Sequence, residues 1–248
     1  MIIDFHTHIF PDKIAEKTIE SLEKISGIKA STNGTLEGLL ASMETSGVDM
    51  SIIMPVATKA EQMENINSYA KEICENYKRE LVRMKEMGLK GIKIHPDYQR
   101  VLIDDVRFMN IIEYADELGL IILTHAGVDI GLPETVHCPP DKLRKVLDRL
   151  KPKKFIAAHY GGFKQWQQVY EYLAGENVYL DTAFTFDFIE QEMFLKILSK
   201  HDENKILFAT DSPWSYAIKD IEIIKKLPIE ESVKRKIFSE NARKLLEI

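Results

Sequence analysis

Ile2-Ile3-Asp4-Phe5-His6-Thr7-His8 opens the chain with a short, mostly apolar run that ends on two histidines one residue apart. A near-continuous apolar run of this length marks a strand buried on both faces, as in parallel sheets. Six more runs of four to six residues follow, at 51–54, 91–95, 120–124, 155–159, 177–181 and 206–210. Pro55 closes the second and Pro96 the third. The segments between them carry apolar residues at helical spacing. Ile14, Thr18, Ile19, Leu22 and Ile25 share one face ahead of Gly27, and Leu36, Leu39, Leu40 and Met43 repeat the pattern ahead of Gly47. Asp104 or Asp105 can cap a helix carrying Met109, Ile112, Ala115 and Leu118, which Gly119 stops. Pro140 and Asp141 start another, with Leu143, Val146, Leu147 and Leu150 on its face.

Strands alternating with helices predict an α/β fold with a parallel sheet and right-handed crossovers. The 248 residues suit one (β/α)8 TIM-type barrel, read as a single domain over 1–248. Seven runs leave that barrel one strand short. The gap lies between Ala60 and Lys90, where Ile66, Tyr69, Ile73, Tyr77, Leu81 and Met84 fit one long helical face or two helices instead. The expectation is therefore a distorted barrel that lacks its third strand, either throughout the protein or in this chain alone.

Composition narrows the class. Apolar residues make up 45% of the chain, enough for a sizeable core, and 12 Gly with 9 Pro exclude collagen-like sequence. With 33 Lys plus Arg against 39 Asp plus Glu, the net charge of -6 argues against a nucleic-acid partner. Two cysteines, Cys74 and Cys138, make no disulfide framework and suit a reducing cytoplasm. No apolar run reaches the length of a membrane span, and the first residues lack the basic and apolar regions of a signal peptide.

Five of the seven histidines, His6, His8, His95, His125 and His159, fall at or just past the ends of the strand-like runs, and Asp211 follows the last run. In parallel α/β barrels the reacting groups come from the C-terminal ends of several strands. Side chains two apart on a strand point the same way, so His6 and His8 can converge on one cation. Such a pair alone is often decoration; three further polar groups at other strand ends favour a metal. His125 and His159 are each followed by small residues (Ala126-Gly127; Gly161-Gly162 after Tyr160), which let a substrate approach the backbone. Asp211 could instead cap the next helix, but a carboxylate beside a metal can accept a proton from bound water.

In their order along the chain, Asp4-Phe5-His6-Thr7-His8, Gly91-Ile92-Lys93-Ile94-His95-Pro96, Thr124-His125-Ala126-Gly127, Ala158-His159-Tyr160-Gly161-Gly162, Thr210-Asp211-Ser212-Pro213 and Asn241-Ala242 resemble the motifs of the amidohydrolase superfamily, in its amidohydrolase-related branch. The resemblance implies a distorted barrel with a mono- or binuclear metal site, usually zinc. It implies His6, His8, His125 and Asp211 as ligands of the main metal, with His159 as a further ligand or a partner of bound water. Lys93 matches the position where binuclear members carry a bridging carboxylated lysine. A lysine ending a strand is also a usual partner for a substrate carboxylate, and a single divalent ion, Zn(2+), is the favoured reading. Lys93 and His95 share parity and are read as substrate-binding residues. A homodimer is plausible from the resemblance alone.

Two chemistries fit these residues. In the first, favoured from sequence, a metal-activated water attacks a small amide, ester or lactone with Asp211 as general base and His159 assisting. In the second, the site removes carbon dioxide from a small unsaturated or aromatic acid without oxidation, as branch members acting on aminocarboxymuconate semialdehyde and hydroxybenzoates do. A structural metal with no reaction is a third reading, disfavoured because strand-end ligands leave a position open. Asp4 lies deeper and is expected to support rather than ligate. Cys138 sits in the loop 128–139 with no base assigned to it. Tyr98, Phe184 and Trp214 could line a pocket or simply pack. His201 is expected on the surface, and 230–236 reads as a solvated helical face.

Overall fold

Strand β1 (Ile3–Thr7) is buried along its whole length and pairs in parallel with β2 (Met50–Ile53), Ile3 opposite Met50 and Asp4 opposite Ser51. The computed structural model describes residues 1–54, 78 and 80–248. These divide into two units, one of 1–54 with 180–248, the other of 78–179.

In the first unit, helix α1 (Asp12–Ser26) buries Ala15, Thr18 and Ile19, and Gly27 ends it in the left-handed conformation expected of a C-cap glycine. Thr35 caps α2 (Leu36–Ser46) by accepting the Gly38 N–H, and Gly47 ends it. The expected apolar faces are narrower than their sequence spacing. Ile14, Ile25, Leu36 and Leu40 are exposed, and only Leu39 of α2 is buried. Strand β6 (Tyr179–Asp181) pairs in parallel with β7 (Ile206–Leu207). The chain beyond β7 runs beside β1: the Phe5 N–H donates to the Phe208 carbonyl, the Asp211 N–H to the His6 carbonyl and the His8 N–H to the Ser212 carbonyl. That register sets Asp211 against the His6–His8 stretch.

In the second unit, residues 80–86 form helix α3, with Leu81 buried. Strands β3 (Gly91–Ile94), β4 (Ile121–Thr124) and β5 (Phe155–Ala157) are parallel in the order β3-β4-β5, with Lys93 opposite Leu123 and Thr124 opposite Ala157. Short α4 (Pro96–Gln99) follows β3 directly. Asp105 caps α5 (Val106–Glu117) through the Arg107 N–H, and Met109, Ile112 and Ala115 are buried. Pro140 starts α6 (Pro140–Leu150), whose Leu143, Val146 and Leu147 are buried; each such side chain contributes about 1.5–3 kcal/mol of transfer free energy. Helix α7 (Trp166–Tyr172) buries Trp166 and Val169.

All seven expected strands are present and parallel where paired. Of the helical face expected between 60 and 90, Leu81 and Met84 lie in α3; Ile66, Tyr69, Ile73, Tyr77 and the missing third strand lie outside the described residues. Among the described residues no helix is long and apolar enough to cross a membrane.

Candidate metal centre and its histidine network

In the first unit, β1 delivers His6 and His8 to one side, as their two-residue spacing requires. His6 Nε2 lies 3.1 Å from His8 Nε2, and both lie 3.0 Å from Asp211 Oδ1. The far side of each ring is tied back. The His6 Nδ1–H donates to Asp181 Oδ2 at 3.1 Å, and the His8 Nδ1–H donates to the Met54 carbonyl at 2.7 Å. A carbonyl and a carboxylate only accept, so each neutral ring carries its proton on Nδ1 and presents a bare lone pair at Nε2. Three lone-pair atoms thus meet about 3 Å apart. Two ring nitrogens and one carboxylate oxygen at this spacing, each ring braced from behind, are a donor set suited to a divalent cation. The residues fit the group that the sequence pattern implies.

When the rings also carry a proton on Nε2, attraction and hydrogen bonding from His6 and His8 outweigh burial and hold the Asp211 carboxyl well below the usual carboxylate range. Its backbone is left-handed, φ 62°, an uncommon conformation for a residue with a side chain and one that recurs where function dictates geometry. His6 has no exposed side-chain surface, whereas Asp211 keeps 13%, so the cluster is reachable from the Asp211 side. Behind it, Asp4 accepts the Thr210 N–H at 3.0 Å, the Thr210 hydroxyl at 2.6 Å and the His6 N–H at 3.3 Å. Asp4 therefore fixes the chain on both sides of the cluster, the supporting role expected of it. Burial pushes its carboxyl up to about 7 against the pull of those donors.

Asp181 is a member that sequence reasoning passed over. Its Oδ1 accepts the Ala183 N–H and its Oδ2 holds His6. The available signal was its place as the last residue of a strand-like run, the rule that singled out the histidines.

The second unit gathers His95, His125 and His159. His125 Nδ1 lies 3.0 Å from His159 Nε2. His95 stacks between Tyr98 and His125, with centroids 3.9 and 4.2 Å away. Its Nδ1 accepts the Tyr98 N–H, so its Nε2 carries the proton in the neutral ring and faces Asp129 Oδ2 at 3.4 Å. His95, His125 and Asp129 could also hold an ion by spacing, but a His95 committed as a donor to Asp129 is poorly suited to ligation. Burial, and the charges of His95, His159 and Lys93, keep His125 well below the usual imidazole range and hence neutral. His159, Tyr160 and Gly161 are successive left-handed residues, φ 58°, 56° and 85°. At Gly127 a Cβ would fall 2.1 Å from the Phe163 nitrogen, so the turn after His125 requires glycine. Asp97 and Asp129, neither singled out from sequence, anchor this network: Asp97 Oδ1 accepts the His137 N–H and the His137 Nδ1–H. Burial raises the Asp97 carboxyl, partly offset by His137.

The expected metal set is thus brought together as His6, His8 and Asp211 in one unit, while His125 and His159 meet each other, beside His95, in the other. Cys138 is fully buried and its thiol is pushed far up by burial, which removes it as a nucleophile. Trp214 packs on the Phe10, Ala15 and Ile19 cluster, and Phe184 on Phe188. His201, expected at the surface, is buried at the end of helix α8 (Gln191–Lys200).

The comparisons with known proteins meet this geometry. Solved structures similar over nearly the whole chain share its fold, an α/β fold of the TIM-barrel class. One is a TIM-barrel protein of Bordetella bronchiseptica, 15% identical over 99% of this chain and 98% of its own, TM-score 0.74. A dihydroxybenzoic acid decarboxylase of Polaromonas with bound manganese is 16% identical over 99% and 96%, TM-score 0.70. A probable 2-pyrone-4,6-dicarboxylic acid hydrolase of Acinetobacter baumannii is 13% identical over 100% and 99%, TM-score 0.67. Decarboxylases of aromatic acids recur among the other similar structures. No curated protein matches in sequence. The amidohydrolase family model matches residues 3–248, and the chain belongs to that family.

Proposed function

We propose that the protein is a divalent-metal-dependent decarboxylase of a small aromatic or unsaturated acid. The observation that carries this reading is the convergence of His6 Nε2, His8 Nε2 and Asp211 Oδ1 in a fold whose solved neighbours are mostly such decarboxylases. These three residues would hold one ion, with His125 as the further ligand that the family motif assigns. The cation, zinc or manganese, would supply a positive anchor for the substrate carboxylate and a neighbouring oxygen. Lys93 and His95 would bind substrate oxygens. Asp211, whose side chain keeps exposed surface, would relay a proton from water to the ring carbon that bears the carboxylate. As that carbon takes the proton, the carbon–carboxylate bond breaks, its electron pair returns to the ring and carbon dioxide leaves. His159, beside His125, would hold the departing group by hydrogen bonding.

The pyrone hydrolase among the similar structures favours a second reading, hydrolysis of a small lactone, ester or amide by the same residues. Asp211 would then remove the proton from an attacking water. Incubating protein reconstituted with Mn(2+) or Zn(2+) against hydroxybenzoates and lactones separates the two. Carbon dioxide release with no net uptake of water supports decarboxylation. Ring opening of a lactone with no carbon dioxide would replace it with hydrolysis.

A further inference from the structure

The second unit holds three buried polar atoms with no hydrogen-bond partner among the described residues, Gln165 Oε1 and the pair Asp97 Oδ2 and His125 Nε2. The two atoms of that pair lie 3.9 Å from each other. Buried polar groups are almost always paired, and an orphaned pair this close calls for a reason. The rest of the Asp97 carboxylate is fully engaged: Oδ1 accepts both the main-chain and the ring N–H of His137, at 3.0 and 3.1 Å. That leaves Oδ2 as an acceptor aimed at one ring nitrogen. The opposite nitrogen of the same ring, Nδ1, faces His159 Nε2 at 3.0 Å.

We propose that Asp97 is the positioning residue of His125: its Oδ2 holds the proton of His125 on Nε2, so that Nδ1 is the bare atom His125 presents for ligation. This deepens the proposed function and rests on His125 serving as a metal ligand. The physical logic matches the His6–Asp181 pair, in which a carboxylate behind the ring dictates which nitrogen is bare. A small closure of the 3.9 Å gap makes the hydrogen bond, as happens where such contacts tighten on ligand binding. His137 lies in the loop that follows β4, and the Ile103 N–H donates to its carbonyl. Asp97 therefore links the position of that loop to the orientation of His125.

The inference is tested on the metal-free full chain with 15N-labelled histidine, reading the tautomer of each ring by NMR and assigning His125 with the His125→Gln variant. The wild type is expected to carry the His125 proton on Nε2. In Asp97→Asn the amide nitrogen can donate to that atom, so the Nε2–H signal of His125 is expected to be lost in favour of Nδ1–H. Affinity for Mn(2+) is expected to fall about 10–100-fold in the same variant. A wild-type His125 protonated on Nδ1, or an Asp97→Asn variant with unchanged tautomer and unchanged affinity, overturns the proposal. If Asp97→Asn fails to fold, His137→Ala replaces it: the main-chain donor to Asp97 remains, and a measurable but smaller loss of affinity is expected, whereas none overturns the link. The metal-free tautomer reports on Asp97 alone. Metal content of His125→Ala reports on the ligand assignment, so the two can fail separately.

Discussion

The two histidine clusters use the same residue types in different hydrogen-bonding patterns. In the first unit every ring is braced from behind and its bare nitrogen points inward, so His6, His8 and Asp211 meet as three acceptors with no donor among them. In the second unit the rings stack, pair with each other and face carboxylates, so donors and acceptors alternate through His95–Asp129, His125–His159 and His137–Asp97. A set of converging acceptors asks for a cation; an alternating set holds and orients protons. The distinction lies in what stands behind each ring, not in the number of histidines.

The comparison can be broken by substitution. His6→Ala or His8→Ala is expected to lose bound metal and all activity together, measured by metal analysis and turnover on one preparation. Retention of metal by either variant would dissolve the difference between the clusters. Asp211→Asn is expected to lose about 10²–10⁴-fold in turnover, while the thermal midpoint of the metal-free protein moves by only a few degrees; near-normal turnover would remove Asp211 as proton carrier. His159→Asn sharpens the contrast: metal content is expected to stay at the wild-type level while turnover drops about 10²-fold.

The smallest effect lies away from both clusters. Asp105 caps α5 and its carboxyl is pulled down to about 2 by the Arg107 side chain and N–H. A carboxyl depressed in the folded state stabilises above its unfolded pKa and loses that contribution as pH falls through the folded value. Asp105→Ala is therefore expected to cost about 1 kcal/mol at neutral pH, with the difference from wild type shrinking between about pH 4 and pH 2. Denaturant unfolding at both pH values checks it, and a constant difference would contradict the ionic part of the cap.

Much of this was legible in the sequence because it rests on local rules. Short apolar runs marked all seven strands, five of them ending at histidine or proline and two at aspartate, and Gly27, Gly47 and Asp105 marked helix ends through their backbone or capping chemistry. His6, His8 and Asp211 were legible because strand ends in this fold carry the chemistry. Asp97 and Asp129 were not, because each is placed by a turn or loop whose course no periodicity records. Ile14, Ile25, Leu36 and Leu40 mislead for a related reason: helical spacing tells which residues share a face, but the partner surface decides how wide a face is covered. His201 errs in the other direction, buried where a helix end suggested solvent.

Whether His6, His8 and Asp211 form the seat of a divalent cation is read by calorimetric titration of the metal-free protein with Mn(2+) and Zn(2+), beside His8→Ala. Saturable binding of a single ion per chain is expected in the wild type, and its loss in His8→Ala. Binding of equal affinity in both proteins, or none in the wild type, would contradict that seat.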